Sequence, residues 1–284
     1  MNKPSEFHAV FDSTPQRDAF YRFLQVVFHL YPEAKFHHLI HEVCGRHDSD
    51  EAIYREVQQR LKEIKPFLSE LTLALPALKK QKREMKRQTL QLLGETKQIH
   101  GYLEIGSTGR YISDLRKHTQ VTGPLYLIND VAPSNAVGDI FERGQIKKIG
   151  QFLALDHYGP IDRSITDASI DLVTIYIGFH HCPTERLDEF VKSIHRVLRP
   201  GGSLIVREHN VLTPEMATFV SLVHTVFNLG LGVPWETDAA EFKSFRSVDD
   251  WAALLASHGF TVAGDRLYQH MDPSDNALVR FLKN

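Results

Sequence analysis

The chain has 284 residues, of which 42% are hydrophobic and 24% charged, enough for one large domain of helices and strands with an appended segment. Its formal net charge of −2 supplies no broad positive field, so we expect no nucleic-acid partner. Its two cysteines, Cys44 and Cys182, are far apart and favour a reducing cytoplasm over a disulfide framework. No apolar run approaches about 18 residues and the N-terminus is polar, so we expect neither a membrane partner nor a signal peptide.

The first 97 residues are predicted to be helical. Thr14-Pro15 is typical of a helix start, Asp48-Ser49 precedes a second helix, and Pro76 opens a third. Apolar residues recur at helical spacing along the first helix: Phe20, Phe23, Leu24, Val27, Phe28 and Tyr31. Because no part of this segment alternates like a strand, we expect residues 1–97 to form a helical cap or lid.

Two polar features of this segment could bind a ligand. The third predicted helix carries a basic run: Lys79, Lys80, Lys82, Arg83, Lys86 and Arg87. We interpret it as a solvated face, with phosphate binding as the alternative. A second set of possible metal ligands has helical spacing, but no other segment of the sequence adds ligands at a spacing typical of a metal site. The set consists of His37, His38, His41, Cys44 and His47. We interpret it as a polar helix face, and we expect no bound metal.

From residue 98 onwards, strands alternate with helices. The predicted strands are "IHGYLEI", "LYLIND", "QFLALD", "SIDLVTIYIGF" and "SLIVREHN", and "TVAGDRLYQ" and "NALVRFL" can pair as a terminal hairpin. Helices are predicted at 110–118, from Thr184, from Thr213-Pro214 and at 247–260. This alternation predicts an α/β fold with a mostly parallel sheet covered by helices on both faces. Ligands of such sheets bind beyond the carboxyl ends of the strands, where polar residues are found here.

Residues 99–284 resemble the class I S-adenosylmethionine-dependent methyltransferases. The resemblance lies in "YLEIGSTGRY", in the acids that end "LIND" and "LALD", and above all in "DASIDLVTIYIGFHHCPTERLDEFVKSIHRVLRPGGSLIVRE". It implies a Rossmann-like sheet of seven strands, the last one antiparallel, within a methyltransferase domain at 98–284. Residues 213–246 would be a lid insertion in that domain. The implied cofactor is S-adenosyl-L-methionine, with S-adenosyl-L-homocysteine as product.

The resemblance implies a role for each residue of the cofactor site. The methionine end would be held by the turn after the first strand, that is by Glu104, Gly106, Ser107, Thr108 and Gly109. Asp130 would accept hydrogen bonds from the ribose hydroxyls, Asp156 would accept from the adenine amino group, and Tyr176 would also contact the cofactor. The N–H groups that begin the next helix would face the cofactor carboxylate.

The turn departs from the family pattern E/D-x-G-x-G-x-G, because it is one residue shorter and lacks one glycine. We expect a tighter turn with Gly106 and Gly109 both against the methionine moiety. A dinucleotide cofactor is less favoured, because its pyrophosphate needs the longer pattern G-x-G-x-x-G.

Candidate catalytic residues follow the fourth and fifth predicted strands: Tyr176, His180, His181, Glu208 and His209. A histidine there could act as a base or orient the acceptor, and the alternative is that one of the pair only packs in the fold. A metal cluster is disfavoured, because adjacent strand residues such as Glu208 and His209 point to opposite faces.

The predicted reaction is methyl transfer to a nitrogen or oxygen atom of a small, partly apolar molecule. The stretch "YIGFHHCP" lacks the Asn/Asp-Pro-Pro-aromatic motif of enzymes that methylate the exocyclic amino groups of nucleic-acid bases, so that reaction is not expected. Two alternatives stay open: a protein or peptide acceptor, and a regulatory module that binds the cofactor without turnover. The sequence does not indicate an oligomeric state.

Overall fold

The computed structural model describes residues 4–65, 75–136, 139–140 and 143–284. The chain forms two compact units. The helical unit consists of Met1–Gln81, His209–Glu241 and Gln269–Asp275, and the sheet unit consists of Lys82–Glu208, Phe242–Tyr268 and Asn276–Asn284. Residues 82–97 therefore group with the sheet, whereas the sequence placed them in the helical cap.

The helices of the helical unit bury one face, and four of those described begin after a serine or threonine N-cap. They are α1 (Glu6–Phe11), α2 (Thr14–Phe23), α3 (Glu33–Cys44), α4 (Asp50–Ile64), the start of α5 (Leu75–Leu93), α8 (Pro214–Gly230) and α9 (Trp235–Ala240). Ser49 caps α4 and Thr213 caps α8, each accepting a backbone N–H through its side chain. These two predicted helix starts are confirmed.

The first predicted helix differs from expectation in two ways. Ser13 is its N-cap, so Thr14 and Pro15 are the first helical residues. Beyond Phe23 the chain forms a π-helical turn, Leu24–Phe28, that ends at His29 in the left-handed conformation. The apolar residues predicted for its buried face are buried, except Val27, which is half-buried.

The sheet unit contains a seven-stranded sheet, as predicted. Its strands are β1 (Gln98–Ile105), β2 (Gln120–Asn129), β3 (Gln151–Ala154), β4 (Ile170–Ile175), β5 (Leu198–His209), β6 (Phe260–Tyr268) and β7 (Asn276–Lys283). The strand order is β3-β2-β1-β4-β5-β7-β6. The pairs among β1 to β5 are parallel, and β6 pairs with β7 in antiparallel fashion. The order reverses beside β1, between β1 and β4.

The helices of the sheet unit are α6 (Ile112–Leu115), α7 (Thr184–Val197), α10 (Val248–Ser257) and the larger part of α5. The helix predicted for 110–118 is only one turn long, because the N–H groups of His118 and Thr119 bond to Leu115 O as the chain turns into β2. Pro183, and not Thr184, is the N-cap of α7.

The central strands are apolar because they are covered on both sides. In β4, Ile170, Leu172, Val173 and Ile175 are all buried. Leu172 belongs to a different apolar cluster from Val173 and Ile175, as expected for the two faces of one strand. Ile170, which precedes a shift of register in the pairing with β5, belongs to the same cluster as Val173 and Ile175. In the described part of the chain, no helix is both long and apolar enough to cross a membrane.

Candidate functional site

The sheet register brings the sequence-predicted strand ends to one edge. Glu104 in β1 is level with Leu127 in β2 and with Thr174 in β4. Asn129 is level with Ala154, so Asp130 and Asp156 follow neighbouring strands. Ile175 is level with Val206, which places Tyr176, just after β4, and Glu208, near the end of β5, at the same edge. The carboxyl ends of five parallel strands thus meet here, beside the reversal of strand order.

Glu104 is the buried anchor of the turn after β1. Its side chain is fully buried, and burial raises the pKa of its carboxyl group, partly offset by the hydrogen bonds that it accepts. Its Oε2 accepts the Tyr102 hydroxyl at 2.9 Å and the Ile112 N–H at 3.1 Å. Its Oε1 accepts the Ser107 hydroxyl and, at 3.2 Å, the Tyr111 N–H. The carboxylate therefore holds the turn and the start of α6 from inside.

Ser107 and Thr108 differ in their partners. The Ser107 Oγ accepts the N–H groups of Gly109 and Arg110, both at 3.1 Å. The Thr108 hydroxyl is buried and has no hydrogen-bond partner among the described residues. Ser107 is thus engaged within the turn, whereas Thr108 brings an unsatisfied polar atom to it.

The two glycines of the turn both have left-handed backbone conformations and face side chains of the protein. A Cβ at Gly106 would lie 2.4 Å from Ile177 Cδ1, so the Ile177 side chain fills the space beside this glycine. A Cβ at Gly109 would meet apolar atoms of Leu127, Ile112 and Ile149 at 3.4 to 3.8 Å. The side-chain face of each glycine therefore lies against the apolar interior, and at Gly106 the space that was predicted to face the methionine moiety is filled by Ile177.

The two acids at the ends of β2 and β3 are accessible. Asp130 and Asp156 are both exposed. Asp156 has a left-handed backbone conformation, and its carbonyl accepts a hydrogen bond from the Arg186 guanidinium at 3.1 Å. Carboxylates placed in this way are available as acceptors for hydroxyl or amino groups of a ligand.

Tyr176 is buried and contacts residues of the turn and of α5. Its ring packs on Tyr111 with centroids 4.4 Å apart, and its hydroxyl lies 2.7 Å from the Thr89 hydroxyl. Burial raises the pKa of Tyr176, so the phenol stays protonated at neutral pH. These contacts favour a role in packing and positioning over proton transfer.

His180 and Glu208 form a buried pair. His180 Nδ1 lies 2.7 Å from Glu208 Oε2, and the two residues are 3% and 4% exposed. The other carboxylate oxygen accepts the Phe179 N–H. A carboxylate on one ring nitrogen fixes the orientation of the imidazole and directs its second nitrogen elsewhere, as in a general base that is held by a carboxylate.

Gly178 makes this pairing possible. Its φ is +82°, and a Cβ there would lie 2.6 Å from His180 Nδ1 and 2.7 Å from Glu208 Oε1. Burial raises the pKa of Glu208 to about 8, although the Phe179 N–H and the neighbouring histidines favour its charged form. Because a buried net charge is costly, the pair retains one more proton at neutral pH than the free side chains would.

The other two candidate histidines have different surroundings. The His181 ring lies 4.3 Å from that of His180 and is half-buried. His209 Nδ1 donates to Ser274 O at 2.6 Å, and its Nε2 lies 3.3 Å from His224 Nε2. Adjacent on β5, Glu208 and His209 thus have separate partners, as strand alternation requires.

The N-terminal histidines have hydrogen-bond partners of several kinds. His37 Nε2 lies 3.2 Å from Arg17 O, His41 Nε2 lies 3.2 Å from the Arg17 guanidinium, and His47 pairs with Glu56. Burial lowers the pKa of His37. These three histidines have polar partners, as a polar helix face would require, but Cys44 of the same set is buried in the core, so the interpretation does not extend to it.

The basic run is not uniformly solvated. Arg83 and Arg87 are exposed, but Lys82 is 6% exposed. Burial lowers the pKa of Lys82, and attraction to Asp114 and Glu104 acts in the opposite direction. The expectation of a wholly solvated face is therefore wrong at Lys82, which lies inward on α5 beside the turn. Its i, i+3 spacing from the buried Met85 was the signal available in the sequence.

Sequence reasoning missed three further residues that shape the site: Thr89, Ile177 and Gly178. Thr89 lies on α5, far from the motif that identifies the site. The sequence predicts Ile177 and Gly178 within a continuous strand, whereas β4 ends at Ile175. The glycine after an apolar run was the available signal for a turn at this point.

A family comparison matches the centre of the sheet unit. Residues 103–206 match the family model described as "Methyltransferase domain". One curated relative, the hybrid PKS-NRPS synthetase LUC5 from Fusarium sp, is 24% identical over 175 residues. This match covers 61% of the chain but only 4% of that much longer protein.

Three solved structures are similar to this chain at low sequence identity. The structure of LaPhzM has a TM-score of 0.50 and 14% identity, and the match covers 96% of this chain and 74% of that chain. The mitomycin 7-O-methyltransferase MmcR has a TM-score of 0.49 and 14% identity, with 97% and 74% covered. The 1,6-didemethyltoxoflavin-N1-methyltransferase of Burkholderia thailandensis has a TM-score of 0.47 and 13% identity, with 72% and 78% covered.

The matched segment contains the glycine turn, the ends of β1 to β4 and "RVLRPGG" at the junction of α7 and β5. The sheet has seven strands and is mostly parallel, as predicted. The chain thus contains a segment of a methyltransferase domain, and its sheet has the α/β architecture expected for the class I S-adenosylmethionine-dependent methyltransferases. S-adenosylmethionine is the cofactor of this class.

Proposed function

We propose that this protein transfers the methyl group of S-adenosylmethionine to a nitrogen or oxygen atom of a small, partly apolar molecule and releases S-adenosylhomocysteine. The observation that carries the proposal is the buried His180–Glu208 pair at the carboxyl ends of the strands, on the same sheet edge as the glycine turn. This edge is where an open parallel sheet binds its ligand.

The residues of this edge suit the adenosine end of the cofactor. The exposed carboxylates of Asp130 and Asp156 would accept from the ribose hydroxyls and the adenine amino group. When bound, the cofactor supplies an electrophilic methyl group, and the protein's task is to place the acceptor in line with it. At the methionine end, the unsatisfied Thr108 hydroxyl is a polar group suited to a ligand.

The His180–Glu208 pair suits an acceptor that loses a proton. The imidazole is held by the carboxylate at Nδ1, so Nε2 is the atom that would take a proton from an acceptor hydroxyl or ammonium group. Because burial makes the pair retain a proton, the form able to act as base increases as pH rises towards about 8, the value to which burial raises the pKa of Glu208. We expect turnover of a proton-bearing acceptor to rise over this pH range.

The helical unit supports a partly apolar acceptor. Phe227 is 41% exposed, and the half-buried Trp235 begins α9. Both belong to the segment 213–246 for which we propose a lid role, together with residues 1–97. Exposed aromatic side chains of this kind commonly contact apolar ligands.

The test measures release of S-adenosylhomocysteine over a panel of small phenols, hydroxylated heterocycles and amines, in parallel with peptide acceptors. We expect turnover with a small molecule, and a loss of about 100-fold or more in kcat for His180→Gln with unchanged cofactor affinity. Turnover with peptides alone would show that the acceptor is a peptide or protein and would contradict the proposed small-molecule substrate. Cofactor binding without turnover of any acceptor would favour the regulatory module.

A further inference from the structure

The stretch Phe242–Ser247, which we call the wall segment, lies in the same compact unit as the His180–Glu208 pair. His209–Glu241 belongs to the helical unit, whereas Phe242–Tyr268 belongs to the sheet unit. The wall segment leads into α10, and Ser247 is the N-cap of that helix. Its contacts with His180 are therefore formed within one unit.

The wall segment contacts His180 through its backbone and through one ring. The Ser244 N–H donates a hydrogen bond to the His180 carbonyl at 2.8 Å. The Phe245 ring lies 5.3 Å from the His180 imidazole, measured between centroids, with 40° between the two planes. His180 is 3% exposed, whereas Phe245 is half-buried. Phe245 thus covers part of the imidazole and keeps part of its own surface accessible.

The wall segment is itself anchored on α10. The Arg246 guanidinium lies 5.0 Å from the centroid of the Trp251 ring, a cation–π contact. Trp251 is buried and packs on Phe179 with centroids 5.8 Å apart, and the Phe179 N–H donates to Glu208. The segment therefore contacts His180 directly and is connected to Glu208 through packed rings.

The orientation of the His180 ring depends on more than one contact. The torsion that turns an imidazole about its Cβ–Cγ bond is broad and roughly two-fold. Glu208 holds Nδ1 at 2.7 Å, and the rings of Phe245 and His181 pack beside the imidazole. A ring packed in this way opposes the rotation in which Nδ1 and Cδ2 exchange places and the hydrogen bond to Glu208 is lost.

We propose that Phe245 is a positioning residue for His180 and that its ring selects a planar aromatic acceptor that carries the hydroxyl group to be methylated. The inference rests on the proposed function, because it requires His180 to act on the acceptor. It deepens that function by assigning a substrate class and a residue that recognises this class.

Two features favour an aromatic hydroxyl compound. A phenyl ring beside the base offers a flat partner an offset-stacked or edge-to-face contact, which a saturated ring does not form. A phenol also gives up its proton with a pKa of about 10, as the tyrosine side chain does, and an imidazole is a suitable base for such a group.

The first experiment titrates two matched probes into the protein saturated with S-adenosylhomocysteine. 2-Naphthol is planar and aromatic, and decahydro-2-naphthol has the same carbon skeleton and hydroxyl group but saturated rings. By isothermal titration calorimetry, we expect the wild-type protein to bind 2-naphthol at least about fivefold more tightly. Phe245→Leu keeps an apolar side chain without a ring and should reduce this preference to less than about twofold.

Phe242→Leu is the matched control, because Phe242 is 40% exposed in the same segment and should leave the preference unchanged. A wild-type protein that binds both probes alike, or neither, would overturn the acceptor class, as would a Phe245→Leu variant that keeps the preference. A protein that does not bind S-adenosylhomocysteine would instead refute the proposed function, so the two failures are distinguishable.

The second experiment tests the positioning role by nitrogen NMR of the histidine rings, with His180→Gln to identify the His180 signals. We expect one set of His180 signals in the wild-type protein and a second set, or broadened signals, in Phe245→Ala. Phe245→Tyr keeps the ring and should show the single set of the wild type. Unchanged His180 signals in Phe245→Ala would overturn the positioning role. Equal changes in the signals of all histidines would also overturn it, because they would indicate a general effect on the fold.

Discussion

At the scale of the single residue, Glu208 links the ionisation of the site to the stability of the fold. Its carboxyl group is buried against His180 and the Phe179 N–H, and burial raises its pKa from 4.5 to about 8. The folded state therefore binds a proton at this site that the unfolded state has already released. The consequence is a stability that depends on pH in a definite direction.

We predict that the free energy of unfolding falls as pH rises from about 5 to about 8. In this window the folded chain holds the Glu208 proton and the unfolded chain does not, so the slope contributed by Glu208 is negative, at most about 1.4 kcal/mol for each pH unit. Glu208→Gln keeps the size of the side chain but cannot ionise. Urea unfolding at several pH values should show a flatter profile for the variant, and parallel profiles would contradict the raised pKa.

Both cysteines are free and buried, and burial raises the pKa of the Cys44 and Cys182 thiols to about 12. The reactive thiolate is therefore scarce at neutral pH. Neither thiol is suited to act as a nucleophile, in line with a site built from imidazole and carboxylate groups.

At the scale of the element, the turn after β4 allows the contact between His180 and Glu208, and Gly178 is the critical position of this turn. We predict that Gly178→Ala removes the His180–Glu208 contact, since the added Cβ would lie within 2.7 Å of both side chains. The cost should be about 1–3 kcal/mol of overpacking beyond the backbone strain of a left-handed alanine.

Gly201→Ala is the matched control. Gly201 has a φ of +72°, but a Cβ added there would have no neighbour within 4 Å, so this substitution introduces the backbone strain alone. Thermal unfolding and turnover should separate the two variants, with turnover lost only in Gly178→Ala. Equal effects of the two substitutions would show that crowding at Gly178 has no part in forming the pair.

The start of α10 offers a second prediction for an element. Ser247 and Asp250 form a capping box, with the Asp250 N–H donating to Ser247 Oγ at 3.0 Å. Ser247→Ala should lower stability by about 1 kcal/mol, which corresponds to a Tm lower by about 2 °C. Ser257→Ala, at the exposed end of the same helix, should leave the Tm nearly unchanged; a similar decrease in both variants would argue against a specific cap.

The elements were predictable from the sequence wherever burial alone determines them. β1 and β4 are apolar runs covered on both faces, and Thr213 and Ser49 begin helices through local bonds. The length of α6 was not predictable, because it depends on the return of the chain into β2. The pairing of His180 with Glu208 joins residues 28 positions apart, so the sequence could name both but could not show their contact.

At the scale of the whole molecule, the strand ends of the sheet unit form a site whose parts come from distant segments. Thr89 on α5, the turn after β1, the acids after β2 and β3, and Glu208 on β5 converge at or beneath one edge. The sequence indicated this edge through the polar residues that follow each strand. It could not indicate that the N–H groups of the turn are used internally, because this depends on the side-chain positions of Glu104 and Ser107.

The most direct test of the central claim is calorimetric titration of S-adenosylhomocysteine into the wild-type protein and into Asp130→Ala, with NADH as the competing candidate. We predict that the wild-type protein binds S-adenosylhomocysteine and not NADH. Asp130→Ala should bind it at least about tenfold more weakly, because a carboxylate that accepts ribose hydroxyls is lost. Asp265→Ala, which removes an exposed acid from β6, should bind like the wild type. Binding of NADH alone, or no binding of S-adenosylhomocysteine, would contradict the account.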